Sequence, residues 1–424
     1  MRRAILCVCM LMGVVPSIAH TQQIHIDVEA GEFRKMKVAM PSYAGPPDMA
    51  ASVWTVCARD FAITWLFDVI SPQSYINPGP TGEIQPGTLK DWALIGADYV
   101  VTATISRQGP RGIFRVQMVE VATGILVEST TYTSGEQTMY LAVHAFMDHL
   151  LKEKFGLGPL FSSKIACIKK VNGAKQLHVM WCDGTGATTI RGGGSLVLNP
   201  AWSPDGRKIA LVSYYRNNPD LYVFDTLTYQ LRLVSGARGL NTSPAFDPSG
   251  SRIAFTSSAD GNPEIHLVNA DGTGRTRLTN SWATDTSPAF SPDGKSLAFC
   301  SSRAGNPQIF LLDLASRNVQ RLTFEGKYNT EPAFSPRGDL VAFSYLTEGG
   351  RYAIALVRPD GSQFRVLKGS GRGDETPSFS PDGRLIAYAS SDGNINVMDL
   401  TGSSSVAITT GGGYSEPAWS PVIR

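Results

Sequence analysis

Between residues 287 and 329 apolar and polar positions alternate in four short runs, each closed by turn-forming residues. Pro288-Ala289-Phe290 is the first run, and Pro292-Asp293-Gly294 ends it with a glycine suited to a positive φ. The second run is 296–300, the third 308–313, and the fourth Gln320-Arg321-Leu322-Thr323. Apolar/polar alternation over so few residues, with no helical spacing between the runs, predicts four antiparallel β-strands. The cadence recurs along the chain, with Pro-Ala-(Trp/Phe)-Ser-Pro or a close variant starting at Pro200, Pro244, Pro288, Pro332, Pro377 and Pro417. These starts lie 44, 44, 44, 45 and 40 residues apart. A fixed period of this length with four strands per unit predicts the blades of a β-propeller.

The sixth start, Pro417-Ala418-Trp419-Ser420-Pro421, has almost no chain behind it. At the front, Lys164-Ile165-Ala166-Cys167, the run 176–180 and the turn Asp183-Gly184 match a second and third strand without a first. The expectation is therefore a six-bladed propeller over 162–424, closed by a split blade whose inner strand comes from the end of the chain. Closure of this kind pairs strand edges that would otherwise stay open. Trp202, Phe246, Phe290, Phe334, Phe379 and Trp419 then occupy one equivalent place, expected to be packed between blades, with a ligand-stacking ring as the alternative.

Ahead of the repeats the periodicity changes. In 49–70, Trp54, Cys57, Phe61, Trp65 and Val69 recur at three- and four-residue intervals, predicting a helix with one apolar stripe, capped by Asp48. A strand is expected at 35–40, a Pro/Gly-rich loop at 78–87, a short helix at 89–95 and strands at 99–106 and 125–133. Phe114, Val116 and Met118 alternate with polar residues between them. Ser134 with Gln137 three residues later reads as a capping box opening a helix with the stripe Met139, Val143, Phe146 and Leu150, stopped by Gly156. The order predicts a small mixed α/β domain over 34–158, helices packed on a sheet. His144 and His149, five apart on the last helix, miss the spacing of a helical metal pair and are expected at the surface or an interface.

The first residues add an export signal. Met1-Arg2-Arg3, an apolar stretch at 4–15 and small residues at Ser17 and Ala19 predict a signal peptide over 1–19. A flexible arm at 20–33 would follow, and within it Gln23, Ile24, His25, Ile26 and Asp27 alternate like a short strand able to add to a sheet edge. No later apolar run is long enough for a membrane span. Cys7 and Cys9 would leave with the signal, keeping Cys57, Cys167, Cys182 and Cys300. A Cys167–Cys182 cross-strand bridge and two buried thiols both fit this pattern.

Chemistry is sparse. A net charge of +2 without a basic run argues against a nucleic-acid partner. There is no Gly-x-Ser-x-Gly, His-Glu-x-x-His or phosphate-cradling glycine motif, so no catalytic residue is nominated. Asp-Gly-Thr-Gly at Asp183 and Asp271 fits a plain hairpin turn as well as a calcium loop, and no metal or cofactor is expected. Strand direction places the Asp-Gly turns on one face of the ring. The links into each first strand converge on the other: Asn241, Thr242 and Ser243; Asp285, Thr286 and Ser287; Asn329, Thr330 and Glu331; Asp374, Glu375 and Thr376. Each polar residue there can cap a strand end, and as a set they form the expected binding surface.

The signal, the small α/β domain, the six Pro-Ala-(Trp/Phe)-Ser-Pro repeats and the junction Phe161-Ser162-Ser163-Lys164-Ile165-Ala166 together resemble the TolB family of the Tol-Pal system. The resemblance implies a non-enzymatic scaffold in the periplasm of a Gram-negative bacterium, monomeric outside its complexes. It further implies that the links before Pro244, Pro288, Pro332 and Pro377 bind the peptidoglycan-associated lipoprotein Pal. The arm containing Gln23 to Asp27 would contact TolA, in support of outer-membrane integrity and cell division. Leu240 departs from the His expected there in related sequences. The residues alone leave a second reading open, an exported propeller hydrolase or glycan- or peptide-binding protein.

Overall fold

A computed structural model describes residues 34–76, 82, 84, 86–190, 196–368 and 373–423. The predicted signal, the arm with Gln23, Ile24, His25, Ile26 and Asp27, and most of the 78–87 loop lie outside the described residues. The first domain runs β1 (Met36–Ala39), α1 (Pro47–Ile63), β2 (Phe67–Val69), α2 (Leu89–Leu94), β3 (Tyr99–Gln108), β4 (Arg111–Glu120), β5 (Leu126–Gly135) and α3 (Tyr140–Phe155). Its sheet has the order β2-β1-β3-β4-β5, with β1 parallel to both neighbours and the rest antiparallel. Among the described residues no helix is long and apolar enough to cross a membrane.

Three local expectations change. The first helix ends at Ile63 rather than continuing to 70: Trp65 takes φ 58°, and Phe67–Val69 leaves to pair with β1. Three- and four-residue spacing could not separate a helical stripe from a stripe followed by one strand, because pairing with β1 is a tertiary contact. Asp48 does not cap this helix by a side-chain bond; Pro47 supplies the first position, and Asp48 faces Arg107 at 3.4 Å. Ser134 does not open α3 either. It belongs to β5, and its hydroxyl donates to the Thr138 carbonyl at 2.8 Å. Gly156 does stop α3, in the left-handed region at φ 62°, its N–H reaching Lys152 O at 3.0 Å while Leu157 N–H reaches Leu151 O at 3.1 Å.

Six four-stranded antiparallel sheets follow. Their inner strands are Val197–Trp202, Asn241–Phe246, Asp285–Phe290, Asn329–Phe334, Glu375–Phe379 and Tyr414–Val422; each lies against the next, and the last lies against the first. Tyr414–Val422 shares its sheet with Ser163–Val171, Ala174–Trp181 and Thr188–Ile190. In order of their outer strands, blade 1 is this sheet, and blades 2 to 6 follow along the chain.

The recurring turn explains itself chemically. Ser291 Oγ donates to Asp293 Oδ1 at 2.6 Å, Asp293 Oδ1 accepts Lys295 N–H at 3.1 Å, and Ser296 N–H donates to Ser291 Oγ at 2.9 Å. Ser203 with Asp205 and Ser380 with Asp382 repeat the serine-to-aspartate bond at the same distance. Pro-Asp-Gly is thus a self-bonded hairpin, with Gly294 at φ 69°.

The repeated aromatic lies between blades, as its equivalent placement predicted. Phe290 packs on Ala254 and Ile265 of blade 3 and on Leu297 and Phe299 of blade 4. Phe246 and Phe379 do the same one blade back and two blades on, and Trp419 joins blade 6 to blade 1. Trp202 and Phe334 sit half-buried at the remaining seams. Cys57, Cys167, Cys182 and Cys300 are buried free thiols, so the two-thiol reading of Cys167 and Cys182 holds. Burial pushes the Cys167 thiol up to about 12.

The two domains share one core. Phe61, Phe146 and Leu150 of the first domain belong to the same apolar cluster as Ile165, Met180, Ile395 and Trp419 of the propeller. Asp148 of α3 fastens the connection: its carboxylate accepts the N–H groups of Leu160, Phe161 and Ser162 at 2.7–2.8 Å, and the Ser162 hydroxyl at 2.6 Å.

Candidate functional site

Each link enters its inner strand through a bulge. Pairing with the second strand skips two residues, as between Thr242 and Ala245 in blade 3 and between Thr286 and Ala289 in blade 4. The residue before each proline, Asn199, Ser243, Ser287, Glu331, Thr376 or Glu416, takes φ between 49° and 55°. Non-glycine residues held left-handed six times over cost on the order of 1 kcal/mol or more each, and the surrounding structure must impose them. It does so partly by crossing blades: Ser287 N–H donates to Thr256 Oγ1 at 3.1 Å, Thr376 N–H to Ser344 Oγ at 2.9 Å, and Asn199 N–H to Glu416 Oε2 at 2.5 Å.

The three residues of each link divide by position. Asn241, Asp285, Asn329 and Asp374, first in their links, are buried. Asn241 Nδ2 donates to the carbonyls of Ala237 and Pro219 at 2.6 and 3.2 Å, and Asn329 Nδ2 donates to Glu325 O at 2.8 Å and Gln308 Oε1 at 2.9 Å. Asp285 pairs with Arg303 at 2.6 Å; burial raises its carboxyl above the usual range against that guanidinium. Asn241 and Asn329 thus hold link backbones, the capping role the sequence left open, while Asp285 anchors its link through a side-chain ion pair. Thr242, Ser243, Thr286, Ser287, Thr330, Glu331, Glu375 and Thr376 are half-buried at the entry ends of the inner strands. Glu331 is pushed up to about 7, mainly by burial and further by Glu375 and Glu416, with the Ser344 hydroxyl opposing.

The same face carries an apolar border that polar-motif reading missed. Trp282 is 81 % exposed, Phe324 67 % and Tyr215 64 %, with Leu240 and Tyr328 also open. Leu240, Trp282, Phe324 and Tyr328 lie in the links, and Tyr215 follows Ser213, which pairs with Val197 at the start of an inner strand. Their only signal in the chain was the presence of large apolar residues in segments otherwise read as polar connections.

Of the surface and interface placements expected for His144, the structure takes the interface. His144 is buried 3.7 Å from Asp60 Oδ2 and 3.4 Å from Asp183 Oδ1, where α1, α3 and blade 1 meet; His149 is half-exposed beside Glu128 at 3.3 Å. Burial and the Asp183 charge push the Asp60 carboxyl well up. Arg59 pairs with the other oxygen of Asp183 at 2.7 Å.

Comparison with known proteins places this architecture. A family model described as the TolB amino-terminal domain matches residues 24–125, and one described as the TolB beta propeller domain matches 155–423. The Tol-Pal system protein TolB of Anaeromyxobacter dehalogenans is 32 % identical over 230 residues, 53 % of this chain and 52 % of the relative. That of Syntrophotalea carbinolica is 37 % identical over 211 residues, 48 % and 49 % of the two chains. The chain thus spans about half the length of the curated relatives it matches. The crystal structure of TolB from Acinetobacter baumannii superposes with a TM-score of 0.79 at 27 % identity, covering 92 % of this chain and 97 % of that one. With both domains matched in order, the chain belongs to the TolB family.

Proposed function

We propose that this protein is a non-enzymatic, periplasmic component of the Tol-Pal envelope system whose propeller docks a protein partner on its link face. The observation that carries the reading is the border of exposed aromatic residues, Trp282, Phe324 and Tyr215, around a mouth of half-buried threonines and glutamates. An aromatic rim beside a polar mouth suits a protein partner, because aromatic anchors dominate such interfaces. By family, the partner on this face is the peptidoglycan-associated lipoprotein, contacted through Thr242, Ser243, Thr286, Ser287, Thr330, Glu331, Glu375 and Thr376. Asn241, Asp285, Asn329 and Asp374 support that surface from beneath. TolA is the partner assigned to the arm containing Gln23, Ile24, His25, Ile26 and Asp27, and the complex serves outer-membrane integrity and division.

The test is capture of envelope proteins from the native host by the tagged full-length chain. Retention of the peptidoglycan-associated lipoprotein by wild type, weakened by Thr330→Arg, supports the reading; wild type that never retains it ends it. Deleting residues 20–29 should leave that capture intact and reduce TolA recovery alone.

A further inference from the structure

We propose that Asp60, His144 and Asp183 form a divalent-metal site of the zinc type at the seam between the two domains. All three side chains are buried, and one donor atom from each lies within 4.8 Å of the others. Both oxygens of Asp60 and both ring nitrogens of His144 lack a hydrogen-bond partner. Leaving four such atoms buried and unsatisfied is costly, and buried charges are found paired or on metals.

The spacing fits a cation better than it fits direct hydrogen bonds. His144 Nε2 stands 3.4 Å from Asp183 Oδ1 and 3.7 Å from Asp60 Oδ2, neither aligned as a hydrogen bond. Metal–ligand bonds of about 2.0–2.2 Å in tetrahedral array put neighbouring donor atoms about 3.3–3.6 Å apart. One imidazole with two carboxylates is a donor set that zinc accepts, with a fourth position left for water or the second Asp60 oxygen.

The surroundings orient this set. Thr185 donates its N–H and hydroxyl to Asp183 Oδ1 at 2.9 and 2.6 Å, and Arg59 holds Oδ2 at 2.7 Å. The His144 ring stacks on Phe161, centroids 5.7 Å apart. Such outer contacts fix ligand direction. Asp60 lies on α1, His144 on α3 and Asp183 in the turn after Ala174–Trp181, so an ion here would tie both helices to blade 1. Asp183-Gly184-Thr185-Gly186 is therefore more than a hairpin turn.

The experiment uses the full-length chain without a histidine tag, stripped by chelator, desalted and titrated with zinc chloride. Expected are about one bound zinc per chain and a higher melting midpoint. His144→Ala and Asp60→Asn should each weaken binding by more than the roughly 10–100-fold that loss of an outer-shell partner costs. His149→Ala and the double variant His20→Ala/His25→Ala should bind as wild type. If the core variants fail to fold, cobalt(II) added to stripped wild type reads the site directly: strong visible d–d bands support a tetrahedral nitrogen and oxygen set. Wild type without stoichiometric zinc and without those bands overturns the proposal, as does zinc uptake unchanged in folded His144→Ala and Asp60→Asn.

Discussion

Ser344 Oγ donates a 2.9 Å hydrogen bond to Glu331 Oε2 while accepting the Thr376 backbone N–H at 2.9 Å, so one hydroxyl joins a carboxylate of blade 5 to the inner strand of blade 6. Glu331 also feels Glu375 and Glu416 from the next two blades. Its carboxyl, at about 7 against an ordinary 4.5, holds a proton in the fold where the unfolded chain has released it. That contribution is full below the unfolded value and is lost as pH rises through about 7. The melting midpoint should therefore fall between about pH 5 and pH 8. Glu331→Gln should flatten the profile and be the more stable at pH 8, on the order of 1–3 kcal/mol. Equal slopes for both proteins would rule out this carboxylate as the source.

Interblade packing gives a sharper stability test. Phe290 is 9 % exposed between blades 3 and 4, and Phe290→Ala should cost about 3–5 kcal/mol in chemical denaturation. An unchanged midpoint would contradict the packing.

Trp282 should behave in the opposite way. At 81 % exposure, Trp282→Ala should leave stability within about 0.5 kcal/mol. If it anchors the lipoprotein it should weaken capture by about thirtyfold or more, corresponding to a hot spot of roughly 2 kcal/mol. Binding equal to wild type in both Trp282→Ala and Phe324→Ala would remove the aromatic border from the interface.

Asp148 tests the domain connection. Asp148→Ala strands three backbone N–H groups of 160–162 and should cost about 3–5 kcal/mol, since hydrogen bonds to a charged group are worth about 1.5–3 each and do not add fully. Limited proteolysis should then cut within 156–162. A resistant variant would mean that core packing alone holds the linker.

The thiols offer a direct count. In a chain beginning at His20, Cys57, Cys167, Cys182 and Cys300 should resist a thiol reagent when folded and all react when denatured. Fewer than four reactive groups would indicate a bridge.

The repeats were legible because five of the six blades are local. Pro-Asp-Gly turns bond within themselves, the strands of blades 2 to 6 pair with their sequence neighbours, and one aromatic recurs at one place. Polar links on one face followed from strand direction alone. What the order of residues could not convey was distance across the chain. Phe67–Val69 becomes a strand because β1 is there to pair with it, which helical spacing does not encode. Within one link, burial separates Asp285 from Thr286, since the neighbouring strand and Arg303 enclose the first and not the second. His144 read as a surface or interface residue, and nothing in the order of residues named Asp60, 84 positions away, or Asp183 as its neighbours. Periodicity specifies which face of an element is apolar, while the meeting of charged groups from α1, α3 and blade 1 depends on how whole domains pack.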